Sequence, residues 1–70
     1  MDIKKGTILE VNHSRSGKWI GIATEDFNTE KEEWYPIDLH QETVHGMARS
    51  WFKGDSMPCR ASLCKVKIKE

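Results

Sequence analysis

Two segments of alternating apolar and polar residues, joined by a short polar turn, constrain the fold of this chain more than any other feature. In the first segment, residues 3–12, Leu9 and Val11 fall on one face of a strand while Ile8 and Glu10 fall on the other. The sequence that follows, HSRSG, has the serines and the glycine that reverse a chain in a tight turn. The pattern predicts a β-hairpin near the N-terminus.

The second strand of this hairpin is predicted over residues 18–24. Trp19 and Gly21 alternate there with Ile20 and Ile22, so both faces of the strand carry apolar groups. A glycine in the middle of a strand marks a bulge, a sharp bend or the close approach of another backbone. Strong curvature at Gly21 would suit a small barrel.

The rest of the chain predicts three more strands and one short helix. A strand over EEWYPI ends at Pro36, because proline donates no hydrogen bond to a sheet. The segment DLHQETVHGMARSW is the helical candidate, since Asp38 and Gln41 match a capping box and apolar residues recur near helical spacing. Two final strands are predicted at residues 57–61 and 63–68, and lysines alternate with apolar residues in the second.

This order of elements predicts a mainly β fold in one domain, residues 1–70. Three strands, a short helix and two strands match a small five-stranded Greek-key barrel of the OB type, whose helix lies between strands three and four. The alternative is an SH3-like barrel. That fold also has five strands, but its short helical turn usually comes just before the last strand.

Charge and length limit the classes of function. A chain of 70 residues has material for one core only. Eleven Lys and Arg residues balance eleven Asp and Glu residues, which gives no support to strong polyanion binding. Five acidic residues and one lysine lie in residues 24–33, so ten basic and six acidic residues remain elsewhere. A mildly basic body with one acidic loop is expected.

The stretches GTILEVN, GKWIGIAT and WYPIDL resemble the small OB-fold nucleic-acid binders, in particular the cold-shock domain. The resemblance covers about the first forty residues. It implies that bases stack on aromatic side chains of strands two and three. Ile20 and Ile22 stand at the positions of these aromatic residues. Trp19, Trp34 or Tyr35 would replace them only if the strand register differs by one residue.

Two functions from different classes are predicted. The first is a non-enzymatic module that binds single-stranded DNA or RNA weakly. Its basic side chains contact the nucleic-acid backbone, and its aromatic rings stack on the bases. Its candidate site is a groove formed by Arg15, Lys18, Trp19, Tyr35, Arg60, Lys65 and Lys67. The second is a β-barrel adaptor that binds a protein through an exposed sheet edge or a patch at Trp51 and Phe52. An alternative for the lysines is a solvated face that protects an edge from aggregation.

Neither catalysis nor a cofactor or metal site is predicted. Cys59 or Cys64 with His40 and Asp38 would supply a nucleophile, a base and an orienting group, but no local motif supports that arrangement. The cysteines are separated by four residues and are expected in successive strands, which suits zinc poorly. Both cysteines are expected in the core as small apolar residues.

The expected location is the cytoplasm. Two cysteines are too few for a disulfide-stapled secreted scaffold. No stretch is apolar and long enough for a signal peptide or a membrane span.

Overall fold

Short β-strands make up nearly all the regular structure in the computed structural model, which describes residues 1–45 and 49–69. The strands are β1 (Asp2–Ile3), β2 (Ile8–His13), β3 (Gly17–Ala23), β4 (Phe27–Asn28), β5 (Trp34–Tyr35), β6 (Ile37–Leu39), β7 (Thr43–His45), β8 (Ser50–Phe52), β9 (Cys59–Arg60) and β10 (Cys64–Ile68). A 3₁₀ helix, Ala61–Leu63, directly precedes β10. The protein is therefore mainly β, and its described residues contain no α-helix.

The largest unit is a four-stranded antiparallel sheet in the order β10-β2-β3-β6. Its centre is the hairpin of β2 and β3, as the alternating pattern predicts. Val11 pairs with Trp19 across this hairpin and with Val66 on its other side. Gly17 ends the turn with a φ of 78°, a conformation that glycine adopts without steric cost.

Residues 34–39 connect this sheet to the final third of the chain. They form β5 and β6 on either side of Pro36, and β5 pairs antiparallel with β9. Asp38 forms a bridge with Ser56, and the N–H of Met57 donates to the carbonyl of Ile37. Two further pairs, β1 with β4 and β7 with β8, complete the sheets of the described residues, and these strands do not close into one barrel.

The predicted helix over residues 38–51 is wrong for every described residue of that segment. Most of these residues lie in β6, β7 and β8 and the others in the connections between them, while residues 46–48, which the helical pattern included, lie outside the described residues. Gln41 makes no capping box, because its side chain bonds to the backbone of β3. Thr43 and Val44 are β-branched and therefore favour strands. In the sequence, the helical spacing of the apolar residues is a stronger signal than this preference.

The core is a single cluster of buried apolar residues beneath the four-stranded sheet. Its members are Ile3, Leu9, Val11, Trp19, Ala23, Phe27, Tyr35, Ile37, Leu39, Val44, Met57, Cys59 and Cys64. The rings of Phe27 and Tyr35 stack with their centroids 5.0 Å apart. Both cysteines are buried and free, as the sequence predicts.

Gly21 lies where two core side chains leave no room for a larger residue. A Cβ atom at this position would lie 2.5 Å from Cγ2 of Ile37 and 2.9 Å from Cζ3 of Trp19. Of the bulge, bend and close approach predicted for a mid-strand glycine, the structure shows a close approach, made by these side chains and by the backbone oxygen of Asp38 at 3.3 Å. The absence of a side chain at Gly21 allows β6 and the Trp19 ring to pack against β3.

Candidate functional site

A groove of about 440 Å³ crosses the solvent-facing side of the four-stranded sheet. Strands β10, β2 and β3 form its floor, and the loop after β6 contributes one wall. Its lining residues are Glu10, Val11, Asn12, Lys18, Trp19, Ile20, Gln41, Lys65, Val66 and Lys67. The alternation that buries Leu9 and Val11 also presents the residues between them to this groove.

The register of the sheet arranges the groove side chains in rows across three strands. Lys65 and Lys18 lie on opposite sides of Asn12, because each of them pairs with it. Neighbouring strands are about 4.8 Å apart, so the backbones of the two lysines are roughly 10 Å apart. The next row runs from Lys67 through Glu10 to Ile20. Cations therefore occupy both long sides of the groove.

One carboxylate interrupts this basic surface. The ammonium nitrogen Nζ of Lys67 lies 3.7 Å from Oε2 of Glu10, and both side chains are largely exposed. Among the described residues, Lys18 and Lys65 form no ion pair. Three lysines against one glutamate give the groove a net positive charge. The groove is therefore a weakly cationic surface.

Gln41 forms the wall of the groove and completes the edge of β3. Its Oε1 accepts a hydrogen bond from the N–H of Ile20 at 2.7 Å, and the N–H of His40 donates to the carbonyl of Ile20 at 2.8 Å. The side-chain amide of Gln41 thus takes the place of a backbone amide in the sheet. It holds the wall against the floor of the groove.

The turn between β2 and β3 carries Arg15 beyond one end of the groove. The N–H of Arg15 donates to Nδ1 of His13 at 3.0 Å, which requires that nitrogen to be unprotonated. Burial and the nearby positive charge of Arg15 lower the pKa of His13. Indole Nε1 of Trp19 also donates to Oγ of Ser16 at 3.0 Å, so the turn is fastened to the core.

The expectation that Trp19 and Tyr35 present exposed rings is wrong. Trp19 is 3% exposed and Tyr35 is 5% exposed, so neither ring offers a face for stacking. The Tyr35 hydroxyl donates to the carbonyl of Thr29 at 2.7 Å, and burial raises the pKa of this phenol. A core this small needs the area of its largest side chains, and both rings are used for that purpose.

Arg60 belongs to a different surface from the lysines. Its Nη2 lies 2.8 Å from Oε1 of Glu33, and its Cζ lies 5.7 Å from the centre of the Trp34 ring. Trp34 pairs with Arg60 across β5 and β9 and is 53% exposed, so its ring lies on this surface and outside the core. Of the predicted site residues, Lys18, Lys65, Lys67 and the buried Trp19 line the groove, and Arg60 lies outside it.

The predicted partner patch at Trp51 and Phe52 is divided between core and solvent. Trp51 is half-buried against the core, with Cζ of Arg49 5.4 Å from its ring centre. Phe52 is 60% exposed. This arrangement follows from strand geometry, because adjacent residues of β8 point to opposite faces.

Apart from the buried Val11 and the half-buried Val66, the groove has four lining residues that the sequence does not assign to the site: Glu10, Asn12, Ile20 and Gln41. The first three could have been found from alternation alone, because they occupy the outward positions of β2 and β3. Gln41 had no such signal, since its pattern indicated a helix cap.

The geometry around the cysteines is that of packed core residues. Sγ of Cys59 donates to the carbonyl of Met57 at 3.1 Å, and burial together with the neighbouring Cys64 raises the pKa of the Cys59 thiol to about 12. A thiol in this state is a poor nucleophile near neutral pH. Within residues 1–45 and 49–69, no three His, Cys, Asp or Glu side chains converge in a geometry suited to a metal ion.

In the described part of the chain, no helix has the length and apolar character needed to cross a bilayer. Comparison of the chain with protein-family models, with curated proteins and with solved structures gives no match.

Proposed function

We propose that this protein is a non-enzymatic binding module whose sheet groove binds the backbone of single-stranded nucleic acid weakly. The observation that carries the proposal is the position of Lys18, Lys65 and Lys67 around one solvent-facing groove. Ammonium groups on both sides of a groove are suited to phosphates of a strand lying along it. Arg15 beyond the end of the groove would extend the contact to a further phosphate.

The other groove residues define how the ligand is held. The amide of Asn12 lies between Lys18 and Lys65 and can donate to a phosphate or base oxygen. Ile20 supplies an apolar contact for a sugar or base. Trp19 lines the groove but is only 3% exposed, so the large stacking contribution of OB-type binders is missing. Binding is therefore expected to be weak, dependent on charge and tolerant of sequence.

The order of elements favours the SH3-like alternative over the predicted OB type, in a set of strands that does not close into one barrel. The 3₁₀ helix Ala61–Leu63 stands directly before the last strand, where SH3-like barrels have their helical turn. No described residue between β6 and β8 forms the helix that the OB arrangement expects there. We include a cytoplasmic location in the proposal, because both cysteines are free and a reducing compartment keeps thiols in that state.

The test is the salt dependence of binding to a fluorescein-labelled oligo-dT or oligo-U strand, followed by fluorescence anisotropy. Neutralisation of three phosphates predicts a slope of about −2 in log K against log salt, because each contact on a single strand contributes about −0.7. The double variant Lys65→Ala and Lys67→Ala should reduce the magnitude of the slope by about 1.4.

Arg60→Ala is the matched control, because this cation lies outside the groove. Its affinity and slope should equal those of the wild-type protein. A slope near zero, or an equal loss from Arg60→Ala, would overturn the proposal.

A protein-binding adaptor is the second candidate, favoured by the exposure of Phe52 beside Trp51. An apolar contact at Phe52 would be insensitive to salt, in contrast to the lysine groove. Loss of partner binding in Phe52→Ser, with oligonucleotide binding unchanged, would assign the adaptor role to this patch.

A further inference from the structure

Strand β10 forms an outer edge of the four-stranded sheet, with no strand beside it in the described part of the chain. At one end of its pairing with β2, the N–H of Ser14 donates to the carbonyl of Leu63 at 2.8 Å. At the other end, the N–H of Lys69 donates to the carbonyl of Ile8 at 3.0 Å. Because bonds alternate along an antiparallel pair, the odd-numbered residues of 63–69 bond to β2.

Val66 and Ile68 occupy even positions, so their N–H and C=O groups point away from β2. Within residues 1–45 and 49–69, no backbone hydrogen bond outside the strand ladders uses these groups, and β10 has no ladder other than the one with β2. Unpaired N–H and C=O groups along a strand edge are a template for another strand.

The side chains of β10 determine which residue types a strand added at this edge should carry. Lys65 and Lys67 lie on the outer face of β10 and are exposed. Val66 lies on the inner face and is half-buried against the core, and Ile68 on the same face is 45% exposed. The edge therefore offers alternating cationic and apolar positions, with apolar area still available for burial at Ile68.

We propose that the β10 edge binds an extended acidic peptide segment as an added antiparallel strand. Acidic residues of the peptide stand opposite Lys65, Lys67 and Lys69, and apolar residues stand opposite Val66 and Ile68. Opposite charges on directly facing positions stabilise a strand pair. Antiparallel pairing matches the sheet that the peptide joins and is slightly more stable per residue than parallel pairing. This inference does not rest on the proposed nucleic-acid binding, and the two proposals share only Lys65 and Lys67.

A second copy of the chain is less suited to this edge. Antiparallel pairing of β10 with β10 of another copy would place lysines opposite lysines on the outer face. Like charges directly opposite each other destabilise a strand pair. The lysines thus discourage self-association while they attract an acidic strand.

The test uses three synthetic peptides and NMR titration of the labelled protein. The first is acetyl-Ser-Glu-Val-Glu-Ile-Glu-Ser-amide. The second has N-methyl groups on its Val and Ile residues, whose N–H groups face β10 in the proposed pairing. The third has N-methyl groups on two Glu residues, whose N–H groups face solvent.

We expect the unmodified peptide to shift amide signals along β10. Methylation at Val and Ile should weaken binding about tenfold or more, and methylation at Glu should change it about twofold or less. Equal binding of both methylated peptides would reduce the contact to unspecific charge attraction and overturn the proposal. An absence of shifts, or shifts confined to Phe52 or Trp34, would do the same. Concentration-dependent dimerisation of the protein alone through β10 would assign the edge to a second copy instead.

Lys18→Glu separates this proposal from nucleic-acid binding, because Lys18 lies two strands away from the β10 edge. The variant should lose oligonucleotide affinity and retain peptide affinity within about twofold. Equal loss of both affinities would place the peptide in the lysine groove and overturn the strand-addition model.

Discussion

The carboxylate of Glu10 lies 3.7 Å from the ammonium group of Lys67, in the middle of the groove that Lys18 and Lys65 also line. The Glu10 carboxylate neutralises the positive charge of Lys67 and would repel a phosphate in the groove. We expect Glu10→Gln to raise oligonucleotide affinity about 1.5- to 5-fold, since exposed charge pairs contribute about 0.2–1 kcal/mol. Anisotropy titration at low salt measures the change. Glu33→Gln, which removes a carboxylate outside the groove, should leave the affinity unaltered, and an equal gain there would point to net charge alone.

Trp19 and Trp34 should respond very differently to truncation. Trp19 is 3% exposed in the core, whereas Trp34 is 53% exposed beneath Arg60. Trp19→Ala should lower the free energy of unfolding by about 3–5 kcal/mol, which is enough to leave a large fraction of the molecules of such a small domain unfolded. Trp34→Ala should cost about 1 kcal/mol or less, mainly through its contact with Arg60. Urea denaturation followed by circular dichroism compares the two, and similar costs would contradict the burial of Trp19.

Gly21→Ala should destabilise the fold by about 1–3 kcal/mol, because the added methyl group would overlap Ile37 and Trp19. Lys18→Ala on the same strand is the control, since its side chain faces solvent. Thermal unfolding of both variants provides the comparison. A neutral Gly21→Ala would mean that β3 and β6 are farther apart than the structure indicates.

Stability should fall at alkaline pH through the buried Cys59 thiol. Burial raises its pKa from 9.0 to about 12, so the folded state favours the neutral thiol. This contribution is complete below pH 9 and is lost as the pH rises through the window from about 9 to about 12. The greatest slope from one such group is about 1.4 kcal/mol per pH unit.

Urea denaturation at several pH values measures this slope. Cys59→Ala should show a smaller slope than the wild-type protein, with the remainder due to the other groups that titrate in this range. Identical slopes would show that Cys59 ionises freely in the folded state.

The sequence predicts the hairpin well because its signal is local. Alternation along residues 8–13 and 17–23, with a polar turn between them, specifies both the pairing and the inward face. The same alternation places Ile20 outward and Trp19 inward. The inference that Trp19 stacks on a ligand required the opposite register, and the burial of a large aromatic residue outweighed it.

The region after Pro36 was predicted poorly because its structure depends on distant partners. Asp38 and Gln41 have the spacing of a helix cap, yet the Gln41 amide bonds to Ile20, twenty-one residues earlier in the chain. Windows of local sequence contain no information about such a contact. Arg60 was assigned to the groove from chain position, whereas its pairing opposite Trp34 directs it to another surface.

Strand β3 serves two purposes with alternate residues: Trp19, Gly21 and Ala23 fill the core, while Lys18, Ile20 and Ile22 face solvent. Substitutions on one side of the strand therefore have little effect on the other. A lineage, or a designer, can change the side chains of the proposed binding groove while the packing that keeps the domain folded stays intact. The outward residues of β3, which would contact a ligand in the proposed site, can thus change separately from the inward residues that specify the fold.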